Sequence, residues 1–507
     1  MGSPKLLILL LIVSIFVLKG CKQGGISGEE LDNELPTTSL TVNQANLPDN
    51  TLLSSRVNLS WWGNDPDGYL LGYEFAINDT SENAWTFTTK TDSIFTLPIT
   101  PGQAADTVLF KIRAVDNNQA RDTVGARIVL PVKNTVPVIE FNSNQLPPDT
   151  TFTTVSFGWT VQDQDGLVSL DRIEIAFNDT LDENNWTQVP LPNEDDEGRT
   201  FVTLFIDNVV PGPATAEVKV GVGLSTPAEP LQFDNLFLDQ DNTAYIRVVD
   251  NSGAVSPIQS HTWYAKSRKS RVLLLNDDDS NDSFANQAFH VQQLGSIGIN
   301  PDVLIINDGQ ASGGTKVRIS EAFPGNIETL RAELAEWDYI YWFSNNLDRN
   351  ITFAQNITTE FLTNGGTLFI TIPSKILPPQ DEVFNFLPVG DIAKVEGIQT
   401  SFRLLRNGLV SPVDTLSGLP ELQINRTLTT VAPMQAVSGA EVIYTADFRA
   451  QIITGQLIDY TGFEDIIIKS GEGNLIYVAL DLVDLTGNNN VAELIDRLAV
   501  QQLGFQQ

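Results

Sequence analysis

The chain of 507 residues is long enough for about three or four domains of ordinary size, and its 42% hydrophobic content allows several separate cores. With 63 acidic against 30 basic residues, a formal net charge of −33, it lacks the clustered Lys and Arg that phosphate backbones require; non-specific nucleic-acid binding is excluded and anionic lipid surfaces are disfavoured. One cysteine excludes an intramolecular disulfide framework, and two histidines exclude a histidine-rich transition-metal centre.

The first predicted element is apolar. Lys5 precedes an almost uninterrupted run from Leu6 to Leu18. As a helix this run spans about 20 Å, short of the roughly 30 Å hydrocarbon core, and it has the size of the apolar region of an export signal. At its end Leu18-Lys19-Gly20-Cys21 resembles the lipobox of bacterial lipoproteins. The resemblance implies that residues 1–20 are a signal peptide and that Cys21 becomes the acylated first mature residue, held in a membrane by its lipid. Lys19 departs from the small residue usual at that position. Lys22, where an inner-membrane retention signal would carry Asp, points to the outer membrane. An ordinary secretory signal or short anchor with an incidental Cys21 is the alternative. Residues 21–50 are polar and contain no aromatic, as in a flexible tether.

An internal repeat follows. Leu59 to Trp85 reads LSWWGNDPDGYLLGYEFAINDTSENAW, and Phe157 to Trp186 reads FGWTVQDQDGLVSLDRIEIAFNDTLDENNW. Trp61 maps to Trp159, Asp65 and Asp67 to Asp163 and Asp165, Gly68 to Gly166, and Trp85 to Trp186. Short alternating runs between Gly, Asn, Asp and Pro turns predict two all-β sandwiches, over 51–135 and 136–265. The pair resembles fibronectin type III and related immunoglobulin-like modules, an architecture that hosts many functions. The second copy carries extra sequence between Leu191 and Asn242, expected as a long loop or an added hairpin. Trp61 is expected in a core, and Trp62, facing the opposite way, at an edge or on a sugar.

Asp65, Asp67 and Asp116 are candidates for one hard-cation site, and Asp163, Asp165 and Asp250 for a second; calcium is the ion that oxygen ligands of this kind select. Asp and Gly also serve as plain turn residues, so both readings stand. A calcium-stabilised structural spacer is accordingly one functional alternative.

After Tyr264 the pattern changes. RVLLLN, DVLIIN, DYIYWFS and GTLFITI are continuously apolar, alternate with helical periodicities, and predict an α/β three-layer domain over 270–507 with a mainly parallel sheet. Phe284, Ala288, Val291 and Leu294 mark one helix, Ala354, Ile357 and Phe361 another, and Val491, Leu494, Ile495 and Leu498 the closing one. EWDYIYWFSNN, FLTNGGTLFITIPS and GEGNLIYVALDL resemble class I glutamine amidotransferase-like and flavodoxin-like folds. That chemistry needs a cysteine in a strand-to-helix elbow, and here the comparable strand ends Ile372-Pro373-Ser374. Glutamine amidotransferase activity is therefore not expected.

Ligands of open α/β sheets bind beyond the C-terminal strand ends, which places Asp277, Asp279 and Asp308, with Asn345, Asn346 and Ser374, at a candidate polar or metal site. Asp279 or Ser280 is equally suited to capping the next helix. The stretch 375–440 is an insertion expected over the same edge, and His290 is expected either in solvent or in packing.

The favoured expectation is a non-enzymatic, lipid-anchored protein of the bacterial cell envelope that recognises or scaffolds an envelope protein or extracellular glycan. A carbohydrate-active hydrolase with an acidic cleft in the C-terminal domain is the enzymatic alternative; it requires two facing carboxylates, and the sequence singles out no such pair.

Overall fold

The structure is a computed structural model that describes residues 32–42, 52–192, 198–207, 210–221, 223–305, 327–345, 347–375 and 381–507. Cys21 and most of the apolar leader's neighbourhood, Asp308 and Asn346 lie outside the described residues. The chain divides into two compact units, Met1–Asn134 and Thr135–Gln507.

The first unit is a two-sheet sandwich. One sheet pairs Thr37–Val42, Arg56–Asn64 and Asp92–Thr96 antiparallel; the other orders Leu53–Ser54, Ala126–Lys133, Ala105–Asp116, Leu70–Ile77 and Thr86–Thr88. The alternation in Arg56–Asn64 explains the packing: Val57, Leu59 and Trp61 turn inward and are buried, whereas Trp62 stays 56% exposed. Trp61 donates its indole N–H to Lys90 O at 2.9 Å, so the core tryptophan leaves no polar group stranded.

The second sandwich opens the second unit and repeats the plan with five strands in each sheet. Strands Arg199–Ile206, Gly212–Val220 and Gln232–Leu238 pair antiparallel in sequence, so the extra stretch of the second copy is an added hairpin at the sheet edge. The outer face of Thr154–Gln162 does not meet solvent. Ser156 and Thr203 hydroxyls bond each other at 2.6 Å and reach Thr329 on the helix Ile327–Leu334 at 3.2 and 3.3 Å. Phe152 packs edge-on against Trp337 at 4.9 Å, completing a joint with the part that follows.

In that part Asp302–Ile305, Val272–Asp277, Tyr339–Ser344, Thr367–Thr371 and Leu475–Val478 lie side by side and parallel. Their side chains alternate between two cores. Leu274, Tyr341, Phe369 and Ile476 face one, and Leu275, Trp342, Ile370 and Tyr477 the other. Helix Leu347–Thr363 buries Ala354, Ile357 and Phe361 and ends where Gly365 adopts φ 95°. Val491, Leu494, Ile495 and Leu498 are all buried, the last in a π-helical continuation, Asp496–Gln502, of helix Val491–Ile495.

The mainly parallel expectation needs correction. Beyond Leu475–Val478 the sheet continues with Asp465–Lys469, Glu441–Ala446 and Leu409–Pro412, all antiparallel. The reason is length: only residues 470–474 separate Asp465–Lys469 from Leu475–Val478, which allows a hairpin and no crossover helix. The insertion 375–440 supplies strands to this extension as well as covering the edge.

Candidate functional site

The strongest cluster of polar side chains sits at the C-terminal edge of the parallel strands. Asn276 donates to Ser283 Oγ at 3.1 Å and Gln287 Oε1 at 3.0 Å, tying the first strand end to the helix Ser283–Ser296. Asp277 accepts the Trp342 indole N–H at 3.2 Å, and its carbonyl accepts the Ser344 hydroxyl at 3.2 Å. Asp279 and Asn345 exchange two bonds, Asn345 Nδ2 donating to Asp279 Oδ1 at 3.0 Å and Asp279 N donating to Asn345 Oδ1 at 3.3 Å. Asp277 and Asp279 therefore come to one edge, as read from the sequence, and both are buried and hydrogen-bonded within the chain.

Neither Asp279 nor Ser280 caps the helix. Asp282 occupies the cap position without a side-chain bond, because Asp278 and Ser280 hold the preceding turn, accepting from Ser280 N at 2.8 Å and Asp282 N at 3.2 Å. Ser374 spends its hydroxyl on Ala432 O at 2.6 Å. This bond fastens the insertion to the sheet. Arg426 pairs with Asp484, and Asn425 donates to Val483 O at 2.7 Å and Thr486 Oγ1 at 2.6 Å, so the insertion is stitched along the strand ends.

Two carboxylates that the sequence reading passed over complete the cluster. Asp278 accepts from Asn286 Nδ2 at 2.5 Å, and Asp481 accepts Val483 N at 3.0 Å. Burial pushes Asp481 up to about 6, helped by the charges of Asp484 and Asp278. Asp481 follows the last parallel strand just as Asp277 to Asp279 follow the first, and that shared position was the available signal. His290, expected off the apolar stripe of its helix, is buried: Nδ1 meets Tyr341 Oη at 3.1 Å and Phe343 stacks on the ring at 4.3 Å. Burial lowers His290 to about 3, so the ring is neutral. Phe284, assigned to the inner face, is 47% exposed in its stead.

The two Asp-x-Asp-Gly loops differ. In the second sandwich Asp163 accepts from Asp165 N at 2.8 Å, Ser169 Oγ at 2.8 Å and Thr135 Oγ1 at 3.2 Å, and Asp165 accepts Thr135 N at 2.8 Å and its hydroxyl at 2.6 Å. In the first, Asp67 accepts Glu34 N at 3.0 Å, while both Asp65 carboxylate oxygens are buried with no hydrogen-bond partner among the described residues. Between Gly68 and Leu70 the first copy has Tyr69 alone where the second has Leu167, Val168 and Ser169, so it lacks the Ser169 hydroxyl. Burial and the neighbouring Asp67 raise the Asp65 pKa. Asp116 and Asp250 bind their own turns alike, through Asn118 N and Ala120 N at 2.9 and 2.8 Å, and through Ser252 N and Ala254 N at 2.9 and 2.8 Å. Among the described residues no group of three His, Cys, Asp or Glu side chains is arranged to hold a metal ion by itself. The second loop is filled by hydroxyls and does not fit a cation. The first leaves the Asp65 carboxylate without such hydroxyl donors.

No family profile matches the chain, and no curated protein matches it. Solved structures similar to it include the PKD1 domain of Vibrio anguillarum Epp, at 14% identity over 20% of this chain and 98% of that one, TM-score 0.15. The fibronectin(III)-like modules of Clostridium thermocellum CbhA share 13% identity over 45% of this chain and 95% of theirs, TM-score 0.16. Chicken CNTN1 FN1-FN3 domains share 12% over 46% and 68%, TM-score 0.15. The strand pairing described above defines two tandem two-sheet β-sandwiches.

Proposed function

We propose that the protein is a lipid-anchored, non-enzymatic component of the bacterial cell envelope, attached to the outer membrane through Cys21, that recognises or scaffolds an envelope protein or glycan. Its C-terminal part serves as an amidotransferase-like domain without a nucleophile. One observation supports the non-enzymatic reading: among the described residues of the edge where an open α/β sheet would do chemistry, Asp277, Asp278, Asp279 and Asp484 are bonded to neighbours and the insertion is fastened across it by Ser374, Asn425 and Arg426. The sole thiol, at position 21, lies far in sequence from any comparable strand end.

Fractionation of cells producing the protein tests the anchor. The native chain is expected in membranes with residues 1–20 removed and Cys21 acylated by mass, and Cys21→Ser is expected in the soluble fraction. An intact leader with an unmodified thiol would refute the reading.

The unpartnered Asp65 favours a second role within the same protein: Ca²⁺ at the first Asp-x-Asp-Gly loop, held by Asp65 with help from Asp67 and Asp116, stiffening the first sandwich as a spacer.

A further inference from the structure

A cleft of about 440 Å³ opens between the strand Val389–Ile392 of the large C-terminal sheet and a separate three-stranded sheet of Gln399–Arg403, Arg449–Ile452 and Leu457–Asp459, lined by Asp391, Lys394, Glu396, Gln399, Asp459 and Tyr460 among others. Its volume falls within the range of small-ligand sites. The strand Val389–Ile392 carries Asp391 to one wall, and Leu457–Asp459 carries Asp459 to the other. The Tyr460 ring is fixed from two sides. It packs edge-on against the fully buried Phe402 at 4.9 Å, and its hydroxyl accepts Phe463 N at 3.2 Å. A Cβ on Gly462 would lie 2.2 Å from that hydroxyl, so the loop closes over the ring only with glycine there. Across the cleft Gln399 Oε1 accepts Glu396 N at 3.2 Å, and Gln399 N donates to Glu396 O at 2.9 Å. The walls are thus formed before any ligand arrives, which removes an ordering cost from binding.

The lining carries three carboxylates, Asp391, Glu396 and Asp459, against one ammonium, Lys394. Only Asp459 has an ion-pair partner of its own, Arg449 at 2.5 Å. Beside the cleft three aliphatic residues face solvent, Val395, Ile398 and Ile453, the last two joined by Ile453 N to Ile398 O at 2.9 Å. A negatively charged partner is repelled by this rim, and a neutral sugar would leave its charge uncompensated. A cation on an aliphatic stem matches both parts, the head against the carboxylates and the stem along the apolar lip.

We propose that the cleft binds the ammonium or guanidinium group of a Lys or Arg side chain presented by a partner protein with aliphatic residues beside it. This rests on the recognition role proposed above and names the partner's chemistry.

The test uses the full chain and a blocked peptide of alternating Leu and Lys, followed by titration calorimetry. Saturable binding is expected, weakened by added salt because exposed charges are screened within about 8 Å at physiological ionic strength. The triple variant Asp391→Asn, Glu396→Gln, Asp459→Asn is expected to bind about tenfold or more weakly. A charge-matched control in the second sandwich, Glu229→Gln, Asp234→Asn, Asp241→Asn, is expected to bind as the native chain does, circular dichroism confirming that both triples are folded. Equal losses in both triples would overturn the cleft in favour of the molecule's overall charge. Absence of saturable peptide binding would overturn it outright. Binding of maltohexaose in place of the peptide would also overturn it, while leaving the broader recognition role intact; the membrane fractionation above judges the anchor separately.

Discussion

The two sandwiches share a plan and differ in what surrounds it. Both place a tryptophan in the core, and both lay an arginine over the second tryptophan of the repeat, Arg113 at 4.0 Å from the Trp85 ring and Arg247 at 4.1 Å from Trp186. In each the arginine is held by a glutamate, Glu74 or Glu174. Around this shared frame the first copy keeps Trp62 and Ile94 in solvent, whereas the second turns the matching sheet face, Ser156 and Thr203, onto the helix Ile327–Leu334. At the positions where the second copy joins the helix through Ser156 and Thr203, the first has Asn58 opposite Ile94. The Asp loop of the second copy is likewise filled by hydroxyls, those of Thr135 and Ser169.

The largest test of this comparison is Trp159→Ala. It should destabilise the second unit by about 3–5 kcal/mol, the usual cost of emptying a large buried site, read by denaturant unfolding. Trp62→Ala should stay within about 0.5 kcal/mol; a cost comparable to that of Trp159 would break the distinction between inward and outward strand positions.

Next in size is the cation response. Ca²⁺ at about a hundred times its dissociation constant should stabilise the first unit by about 2.7 kcal/mol, seen as a melting shift reversed by EDTA. Asp65→Asn should abolish the shift, and Asp163→Asn should leave it.

Glu74 in the first unit and Asp481 in the second should make opposite contributions to the pH dependence of stability. Glu74 is held low chiefly by its bond to Arg121, so its contribution is present above the unfolded value of 4.5 and is lost as pH falls through the folded one. Asp481 is raised by burial from 3.8 to about 6, so the native state holds the proton more tightly, and stability drains as pH rises from about 4 to 6. The loss is on the order of 3 kcal/mol. Unfolding free energy of Asp481→Asn measured across that window should be flatter than that of the native chain; an unchanged slope would assign the titration to another group.

The smallest expected effect sharpens the loop comparison. Thr135→Val removes the hydroxyl shared by Asp163 and Asp165 and should cost about 1 kcal/mol, detectable as a lowered denaturation midpoint.

Much of this was legible in the residues. The Trp and Asp-x-Asp-Gly spacing gave the duplication, and period-2 alternation separated Trp61 from Trp62 because strand geometry leaves adjacent side chains no shared face. What periodicity missed depends on distant partners. His290 is tolerated inside because Tyr341, half a hundred residues away, meets its Nδ1, and no window on the helix contains that information. The direction of Asp465–Lys469 required the length of its connection rather than its apolar run. At the candidate edge the cluster of Asp277 and Asp279 was readable as short polar residues after a strand, but the closure by Arg426 and Asn425 arises from an insertion whose docking leaves no local pattern.

Among the described residues the strand Thr37–Val42 has its ladder with Arg56–Asn64 and forms one margin of its three-stranded sheet. A pull on the residues that precede Thr37 would first meet Asn33 Nδ2 on Asp116 Oδ2 at 2.7 Å and Glu34 N on Asp67 Oδ2 at 3.0 Å, and the Thr38 hydroxyl, which accepts Ala114 N at 2.8 Å, ties the same strand to the opposite sheet. The margin is thereby clasped at points outside its ladder, and load entering there is shared between both sheets of the module.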